Sequence, residues 1–292
     1  MTTYVLLTRL LNFIYLLMQV FLTFFLLTTN VGVILVDNVW FYGDDQKMTS
    51  LGTGDVVDII EYENDLVKVA YDNRIGKVHK GVLIDFEMNI AEEKLFVFAH
   101  GYFDDGEFGK AASLFDVFIR FFTKSQHLAE VLYYHGLSNE QIARHLTPAD
   151  SMPGFIFNKN YNTWHYSGGA YERIRDEFPE SVYSSKAVYR LLNVTRERNL
   201  PWRDSLQPIQ EELQMWQEFI VQYKNTEEYV LALLEIGYLN RVLFEITENV
   251  NFKKNAVAVF QEISDKYPNS IYSAQSNVNL DEIEKGENIH KY

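Results

Sequence analysis

The sequence predicts a multidomain chain: an N-terminal membrane helix or signal, then a small all-β barrel, then an all-α solenoid of stacked helical hairpins. Three observations predict this order. Arg9 is the only charged residue before Asp37, strand-like runs fill residues 33–84, and apolar residues recur at helical spacing from Leu95 onward. We therefore expect three domains, with bounds at 1–29, 30–86 and 92–292.

The N-terminal stretch Leu10–Leu27 is uncharged and strongly apolar. As a helix it would span about 27 Å at 1.5 Å per residue, close to the hydrocarbon thickness of a bilayer. A cleaved signal peptide and a retained anchor both fit this stretch, and a buried core helix is a third interpretation. Because Arg9 precedes the stretch and acidic residues follow it, the bulk of the chain is expected on the extracytoplasmic side, anchored in the membrane or periplasmic.

Residues 33–84 change to a strand pattern. Five short runs of β-branched and aromatic residues are separated by turn-forming Gly, Asp and Asn. Strands this short, in a segment of only about 55 residues, predict a small, strongly bent barrel.

Specific segments of this region resemble the bacterial SH3 domain. The resemblance lies at residues 37–41, 51–57, 76–79 and 82–83, where that family has its first strand, its L-x-x-G-x-x-V segment and its closing G-W-V … L pattern. The family's Arg-x-x-Pro is replaced by residues 42–45, and two of its Trp positions hold Leu66 and Lys77. The resemblance implies an SH3-like barrel, and it implies peptidoglycan or a peptide segment as a ligand.

Two neighbouring aromatic residues of this barrel are candidates for partner binding. If Val39 and Phe41 point inward, strand alternation places Trp40 and Tyr42 on the outer face. The two rings would then form a binding patch, or would pack on the next domain or the membrane-proximal segment.

A helix–turn–helix spacing appears four times in the C-terminal region. A leading residue is followed four positions later by an aromatic, three later by a large residue, four later by a second aromatic and three later by Ser or Thr. The first four positions share one helical face, and the Ser or Thr is placed to cap the next helix. The copies are Ala111/Phe115/Phe118/Phe122/Ser125, Ser167/Tyr171/Ile174/Phe178/Ser181, Glu212/Trp216/Phe219/Tyr223/Thr226 and Ala256/Phe260/Ile263/Tyr267/Ser270. Since one hairpin cannot bury its apolar face alone, the recurrence predicts a solenoid.

The first copy, with the helix that precedes it, resembles a tetratricopeptide (TPR) repeat. Tyr102, Gly106, Phe108 and Ala111 follow in the order that the family uses, where Gly and Ala let helices approach closely. The later copies resemble the TPR proteins of the bacterial envelope. The predicted repeat core is Tyr102, Gly106, Phe108, Ala111, Phe115, Phe118, Phe122, Tyr171, Phe178, Pro179, Trp216, Tyr223, Phe260, Tyr267 and Pro268.

The intervals between copies are 56, 45 and 44 residues, all longer than a regular TPR repeat of about 34 residues. The largest insertion covers residues 138–166. Residues 138–141 read as a capping box for a short helix that stops at Thr147, and the remainder is expected to be irregular and rich in rings. Its aromatic cluster is either a partner-binding edge or a plug between hairpins; the partner-binding candidates here are Tyr161, Trp164, His165 and Tyr166.

Composition and motifs argue against several function classes. The net charge of −14 makes nucleic acid an unlikely partner, and the chain has no cysteine for a disulfide, a thiolate metal site or a lipid anchor. No pair of His residues has metal-ligand spacing, and no nucleophile elbow or phosphate loop occurs. We expect a protein without catalytic residues, metal or cofactor: a scaffold or adaptor that binds a protein or peptide in envelope assembly or maintenance. The alternative is a peptidoglycan-binding module that localises or regulates a cell-wall enzyme.

Overall fold

The computed structural model describes residues 30–43, 49–159, 161–199 and 206–288. The expected N-terminal span, Leu10–Leu27, lies outside these residues. Within them, no helix combines the length and the apolar character needed to cross a membrane. The chain divides into two compact units, the first ending at Ser125 and the second beginning at Gln126.

Among its described residues, the first unit contains a seven-stranded sheet whose strand order is β3-β2-β6-β5-β4-β1-β7. Its strands are β1 (Asn30–Ile34), β2 (Val39–Gly43), β3 (Thr49–Leu51), β4 (Val56–Glu63), β5 (Leu66–Tyr71), β6 (Arg74–His79) and β7 (Leu83–Asp85). The sequence predicted five strands. Two strands are additional. A 3-10 turn at Lys80–Val82 divides the last predicted strand into β6 and β7, and the short strand β3, which was not predicted, pairs with β2. The resemblance to SH3 domains stays a prediction.

Strand alternation decides which side chains fill the core of the sheet. Val39 and Phe41 are buried, whereas Trp40 and Tyr42 of the same strand are 57% and 56% exposed, as alternation requires. The buried cluster is completed by Ile34, Leu51, Val57, Ile59, Val67, Val69, Val78 and Leu83.

Two helices, α1 (Ala91–Asp104) and α2 (Phe108–Phe121), pack on each other and belong to the same unit as the sheet. The Tyr102 hydroxyl donates to the Leu35 carbonyl oxygen at 2.8 Å, and the rings of Phe86 and Phe121 lie 4.7 Å apart. The first helical hairpin is therefore fixed to the sheet. The predicted domain boundary between residues 86 and 92 stays a prediction about which parts fold independently.

The second unit contains seven helices and a pair of strands among its described residues. They are α3 (Leu128–Ala143), β8 (Phe155–Asn158), β9 (Thr163–Tyr166), α4 (Gly169–Glu177), α5 (Ser184–Asn199), α6 (Gln207–Gln222), α7 (Glu228–Thr247), α8 (Val250–Lys266) and α9 (Ile271–Lys285). From α3 to α9, each helix packs on the next one along the chain. The predicted fold class is therefore confirmed in its coarse form, a β region followed by helical hairpins.

The four predicted copies end their first helices in the same way. In each, the second aromatic is the residue after the helix, with φ between −132° and −110° and ψ between 44° and 51°. Its N–H donates at 2.9 Å to the carbonyl four residues earlier. These residues are Phe122, Phe178, Tyr223 and Tyr267. The predicted helix end and tight turn are thus present in every copy.

The N-cap prediction is correct for one copy only. The Ser270 hydroxyl accepts from the Ser273 N–H at 3.1 Å and caps α9. In the other copies, the next helix begins two or three residues after the Ser or Thr, because a further turn intervenes. Ser181 shows this: its hydroxyl accepts from the Tyr183 N–H at 3.2 Å inside that turn.

Three of the predicted core positions are exposed turn residues: Gly106, Pro179 and Pro268. Gly106 has φ +77° with open space around it, so it serves a left-handed backbone turn and not a close helix approach. Tyr102, Phe108, Phe122, Phe178 and Tyr267 are half-buried. The buried positions are Ala111, Phe115, Phe118, Tyr171, Trp216, Tyr223 and Phe260.

The insertion at residues 138–166 is more regular than the sequence predicted. The capping box at 138–141 does not form, since α3 continues through it to Ala143. The segment predicted to be irregular contains the antiparallel pair β8–β9, with register from Phe155↔Tyr166 to Asn158↔Thr163. Alternating rings on both strands stabilise this pair.

Candidate functional site

The second unit contains a pocket of about 790 Å³ beside the inserted strands. The C-terminal end of α3, strand β9 and the middle of α5 form most of its lining, and Leu231 of α7 adds an apolar contact. Its size is in the range of about 300–1,000 Å³ that is typical of ligand pockets.

The strand pair is fixed through β9 to the loop after α3 and to the first turn of α4. The Trp164 indole N–H donates to the Thr147 carbonyl oxygen at 2.7 Å. At the C-terminal end of β9, the buried Tyr166 hydroxyl accepts from the N–H of Ala170, in the first turn of α4, at 2.7 Å. Burial raises the pKa of Tyr166 to about 12, so its hydroxyl stays protonated at neutral pH. The wall that β9 gives to the pocket is thereby held in place.

Glu140, on the pocket lining from α3, is held by two other helices. The Tyr171 hydroxyl of α4 donates to Glu140 Oε1 at 2.7 Å, and Arg190 Nη1 of α5 lies 3.3 Å from Glu140 Oε2. Burial and the Glu140 carboxylate both raise the pKa of Tyr171 far above the usual tyrosine value, which keeps this hydroxyl a donor. The carboxylate therefore ties α3, α4 and α5 together next to the pocket.

Arg144 follows Glu140 by one helical turn and also lines the pocket. Its side chain is exposed, and its guanidinium contacts the Gln141 amide oxygen at 3.3 Å. No carboxylate among the described residues forms an ion pair with it at 4.0 Å or closer. Arg144 therefore brings a positive charge to the pocket that no neighbouring acid balances.

The predicted partner-binding residues fall into two groups. Trp164, His165 and Tyr166 line the pocket, whereas Tyr161 is 49% exposed and is not part of the lining. Trp40 and Tyr42 lie in the first unit, on the outer face of β2. Binding by any of these residues stays a prediction.

Sequence reasoning missed the charged residues of the pocket, Glu140, Arg144 and Arg190, and it also missed Tyr189 and Asn193. Treating residues 138–141 as a helix start placed Glu140 in a cap. The sequence does contain a pattern that indicates a continuing helix, because small residues recur at helical spacing at Gly136, Asn139 and Ala143. A helix that continues there puts Glu140 and Arg144 on one face.

The helical region matches a known family in part. Residues 89–198 match the family model YfiO, described as an outer membrane lipoprotein. The matched residues are less than half of the chain, and they include all of the pocket lining except Leu231.

One similar solved structure is a tetratricopeptide repeat protein from Parabacteroides merdae. The identity is 12% and the TM-score 0.44, over 67% of this chain and 60% of that one. Our chain thus spans about 60% of the length of that protein. Among curated proteins there is no match.

Within the described residues, no group of three or more His, Asp or Glu side chains is arranged to hold a metal ion. The polar groups of the pocket include the Glu140–Arg190 ion pair, the exposed Arg144, side-chain amides and phenols. This arrangement suits recognition of another molecule by ion pairs, hydrogen bonds and ring contacts.

Proposed function

We propose that this protein is a non-enzymatic adaptor of the bacterial cell envelope that holds a segment of a partner protein in the pocket beside β9. The observation that carries the proposal is the pocket itself, which lies almost wholly within the residues that match an outer membrane lipoprotein family. Aromatic and Arg residues, which line it, contribute strongly at protein interfaces.

Attachment to the membrane would differ from that of a lipoprotein. The sequence has no cysteine, the residue to which a bacterial lipoprotein's lipid is attached. We propose that Leu10–Leu27 either anchors the chain in the membrane or acts as a signal that directs its export.

Site-specific photocrosslinking in the native cell tests the adaptor proposal. Thr163, which is exposed on the pocket rim, is replaced by p-benzoyl-L-phenylalanine, and Val221, which is 69% exposed on α6, is the matched control. We expect one dominant protein adduct from position 163 and none from position 221. The same adducts from both positions, or no protein adduct from position 163, would contradict the proposal.

A second candidate function uses the sheet of the first unit. Trp40 and Tyr42 are exposed on one face of β2, and Lys77 stands opposite Tyr42 on β6. Lys77 is paired with Glu63, so the two exposed rings are what this face offers to a peptidoglycan or peptide ligand. Pull-down of the full chain on purified sacculi tests it. Retention that falls in Trp40→Ala and persists in the surface control Val97→Ala would support it, and no retention of the unaltered chain would reject it.

A further inference from the structure

The charges around the pocket are unequal. Glu140 is engaged by the Tyr171 hydroxyl and by Arg190, so one positive and one negative charge of the lining pair with each other. Arg144 is the remaining formal charge of the lining, and its hydrogen bond is to a neutral amide. The pocket therefore carries a surplus of one positive charge, with His165 counted as neutral.

This surplus contrasts with the rest of the molecule. The chain has 40 acidic and 26 basic side chains, a net charge of −14. An acidic ligand approaching most of the surface would be repelled, whereas the pocket offers Arg144, which has no carboxylate partner in the part of the chain that the structure describes. A single Arg in a concave pocket suits one carboxylate, whereas nucleic acids and anionic membranes require extended basic patches.

The remaining lining defines what must lie beside that carboxylate. Trp164, Tyr166 and Tyr189 supply rings, Asn193 supplies an amide, and Leu231 supplies an apolar surface. Rings and aliphatic side chains favour an apolar or aromatic neighbour of the acidic residue. A segment of extended polypeptide can present an acidic side chain and an apolar side chain within two or three residues of each other.

We propose that the pocket binds the side-chain carboxylate of an Asp or Glu in an internal segment of the partner, that Arg144 forms the ion pair, and that an adjacent apolar residue packs against the rings. The proposal rests on the proposed adaptor function and names the chemistry of its partner. A guanidinium can bind a carboxylate through two parallel hydrogen bonds, which gives direction as well as charge complementarity.

A peptide-display selection on the full-length chain tests the proposal without knowledge of the partner. The library has nine randomised positions flanked on both sides by constant sequence, so no displayed peptide offers a free terminal carboxylate. Selection is run on the unaltered chain, on Arg144→Gln and on Arg173→Gln. Arg173 is the matched control, because it lies in the same unit, does not line the pocket and pairs with Glu177 on the surface of α4.

We expect peptides selected on the unaltered chain to carry Asp or Glu at one position next to an apolar residue, at least about threefold more often than Asn or Gln. The best such peptide should lose about tenfold or more in affinity on Arg144→Gln and less than about twofold on Arg173→Gln, since a hydrogen-bonded charge pair is lost in the first variant alone. A version of this peptide in which Gln or Asn replaces the acidic residue should bind the unaltered chain with a similarly reduced affinity.

Three outcomes would overturn the proposal: no selected peptides, selected peptides without an acidic preference, or equal losses in the two Arg variants. Inorganic phosphate, added at constant ionic strength, should not displace the peptide; full displacement would assign the site to phosphate-type anions. If the partner still crosslinks at position 163 while the acidic preference is missing, the adaptor function stands and this inference fails.

Discussion

Gly237 of α7 lies against the ring of Phe260 of α8, so closely that a Cβ added at Gly237 would stand 2.5 Å from Phe260 Cε1. Gly136 of α3 has the same relationship with the Tyr171 ring of α4. In both hairpins a helical glycine receives the first aromatic of the repeat. The close helix approach that the sequence assigned to Gly106 is therefore made by these two glycines.

Gly237→Ala should destabilise the second unit. The new methyl group would overlap a fully buried ring, and overpacking of this kind costs about 1–3 kcal/mol. Urea unfolding followed by tryptophan fluorescence measures the change. Gly101→Ala is the control, because that helical glycine has no atom within 4 Å of the Cβ position; it should be neutral or gain about 0.5–1 kcal/mol. A loss of similar size in both variants would contradict the packing argument.

Gly54→Ala should loosen the sheet and α2 together. Gly54 has φ +90°, a conformation that Ala rarely adopts, and a Cβ added there would stand 2.7 Å from Ser113 Cβ. The Ala variant would therefore have a strained backbone and a steric clash with α2. Hydrogen exchange measured by mass spectrometry should show faster exchange in the sheet and in α2. Gly81→Ala, where the surrounding space is open, should leave exchange unchanged. Faster exchange in the sheet alone would show that the two parts are not held together at this contact.

Tyr171→Phe should cost about 1.5–3 kcal/mol, because it removes a buried hydrogen bond to the Glu140 carboxylate. The measurement is the free energy of unfolding in urea. Tyr161→Phe is the matched control, since that ring is half exposed, and it should change stability by less than about 0.5 kcal/mol. If Tyr171→Phe is as mild as the control, Glu140 does not depend on this donor.

Arg196→Met should be strongly destabilising. Arg196 of α5 lies 3.3 Å from Glu212 of α6 and 2.8 Å from Glu235 of α7, and both carboxylates are largely buried. Removing the cation leaves two buried acids without it, at a cost of about 3–5 kcal/mol. Urea unfolding again gives the measurement. Arg120→Met, at an exposed surface pair with Asp116, should cost no more than about 1 kcal/mol.

The same cluster predicts a pH dependence. Burial raises the pKa of Glu212 and of Glu235 above the ordinary value of 4.5, despite the opposing effect of Arg196. Acids with a raised folded-state pKa contribute stability that is fully present below their unfolded pKa and is lost as pH rises through the folded value. Glu235→Gln mimics the neutral form, so it should stabilise the protein relative to the unaltered chain at pH 8.

This advantage of Glu235→Gln should shrink as pH falls toward 4.5, where the unaltered chain also becomes protonated. Urea unfolding at several pH values measures it. The surface control Glu284→Gln should show little difference from the unaltered chain at any pH. A Glu235→Gln effect that is the same at pH 5 and pH 8 would contradict the raised pKa.

The sequence predicted the parts of the fold that depend on local patterns. Four helix ends, at Phe122, Phe178, Tyr223 and Tyr267, follow from side-chain spacing and are found where expected. Alternation along β2 likewise predicted that Phe41 and Trp40 lie on opposite faces, and Phe41 is buried while Trp40 is exposed. Such features depend on residues a few positions apart, and one sequence contains that information.

The parts that were wrong or missed depend on residues far apart in the chain. Glu140 acquires its role from Tyr171 and Arg190, which lie 31 and 50 positions later. Gly136 and Gly237 acquire theirs from rings on the next helix. The position of the strand pair β8–β9 depends on the hydrogen bonds of Trp164 to the loop after α3 and of Tyr166 to α4. Contacts between residues so far apart cannot be predicted from local spacing, so the sequence did not predict the pocket.

The shared backbone geometry after the four helices has a consequence for protein engineering. Because the residue after the helix has nearly the same φ and ψ in each copy, the chain leaves the first helix in the same way at Phe122, Phe178, Tyr223 and Tyr267. A chimaera spliced at two of these residues would keep the way in which the first helix ends, while the distance from the Ser or Thr to the next helix, which differs between copies, would have to be matched. Such an exchange would divide the pocket, because its lining comes from α3 and β9 before Phe178, from α5 after it and from α7 after Tyr223.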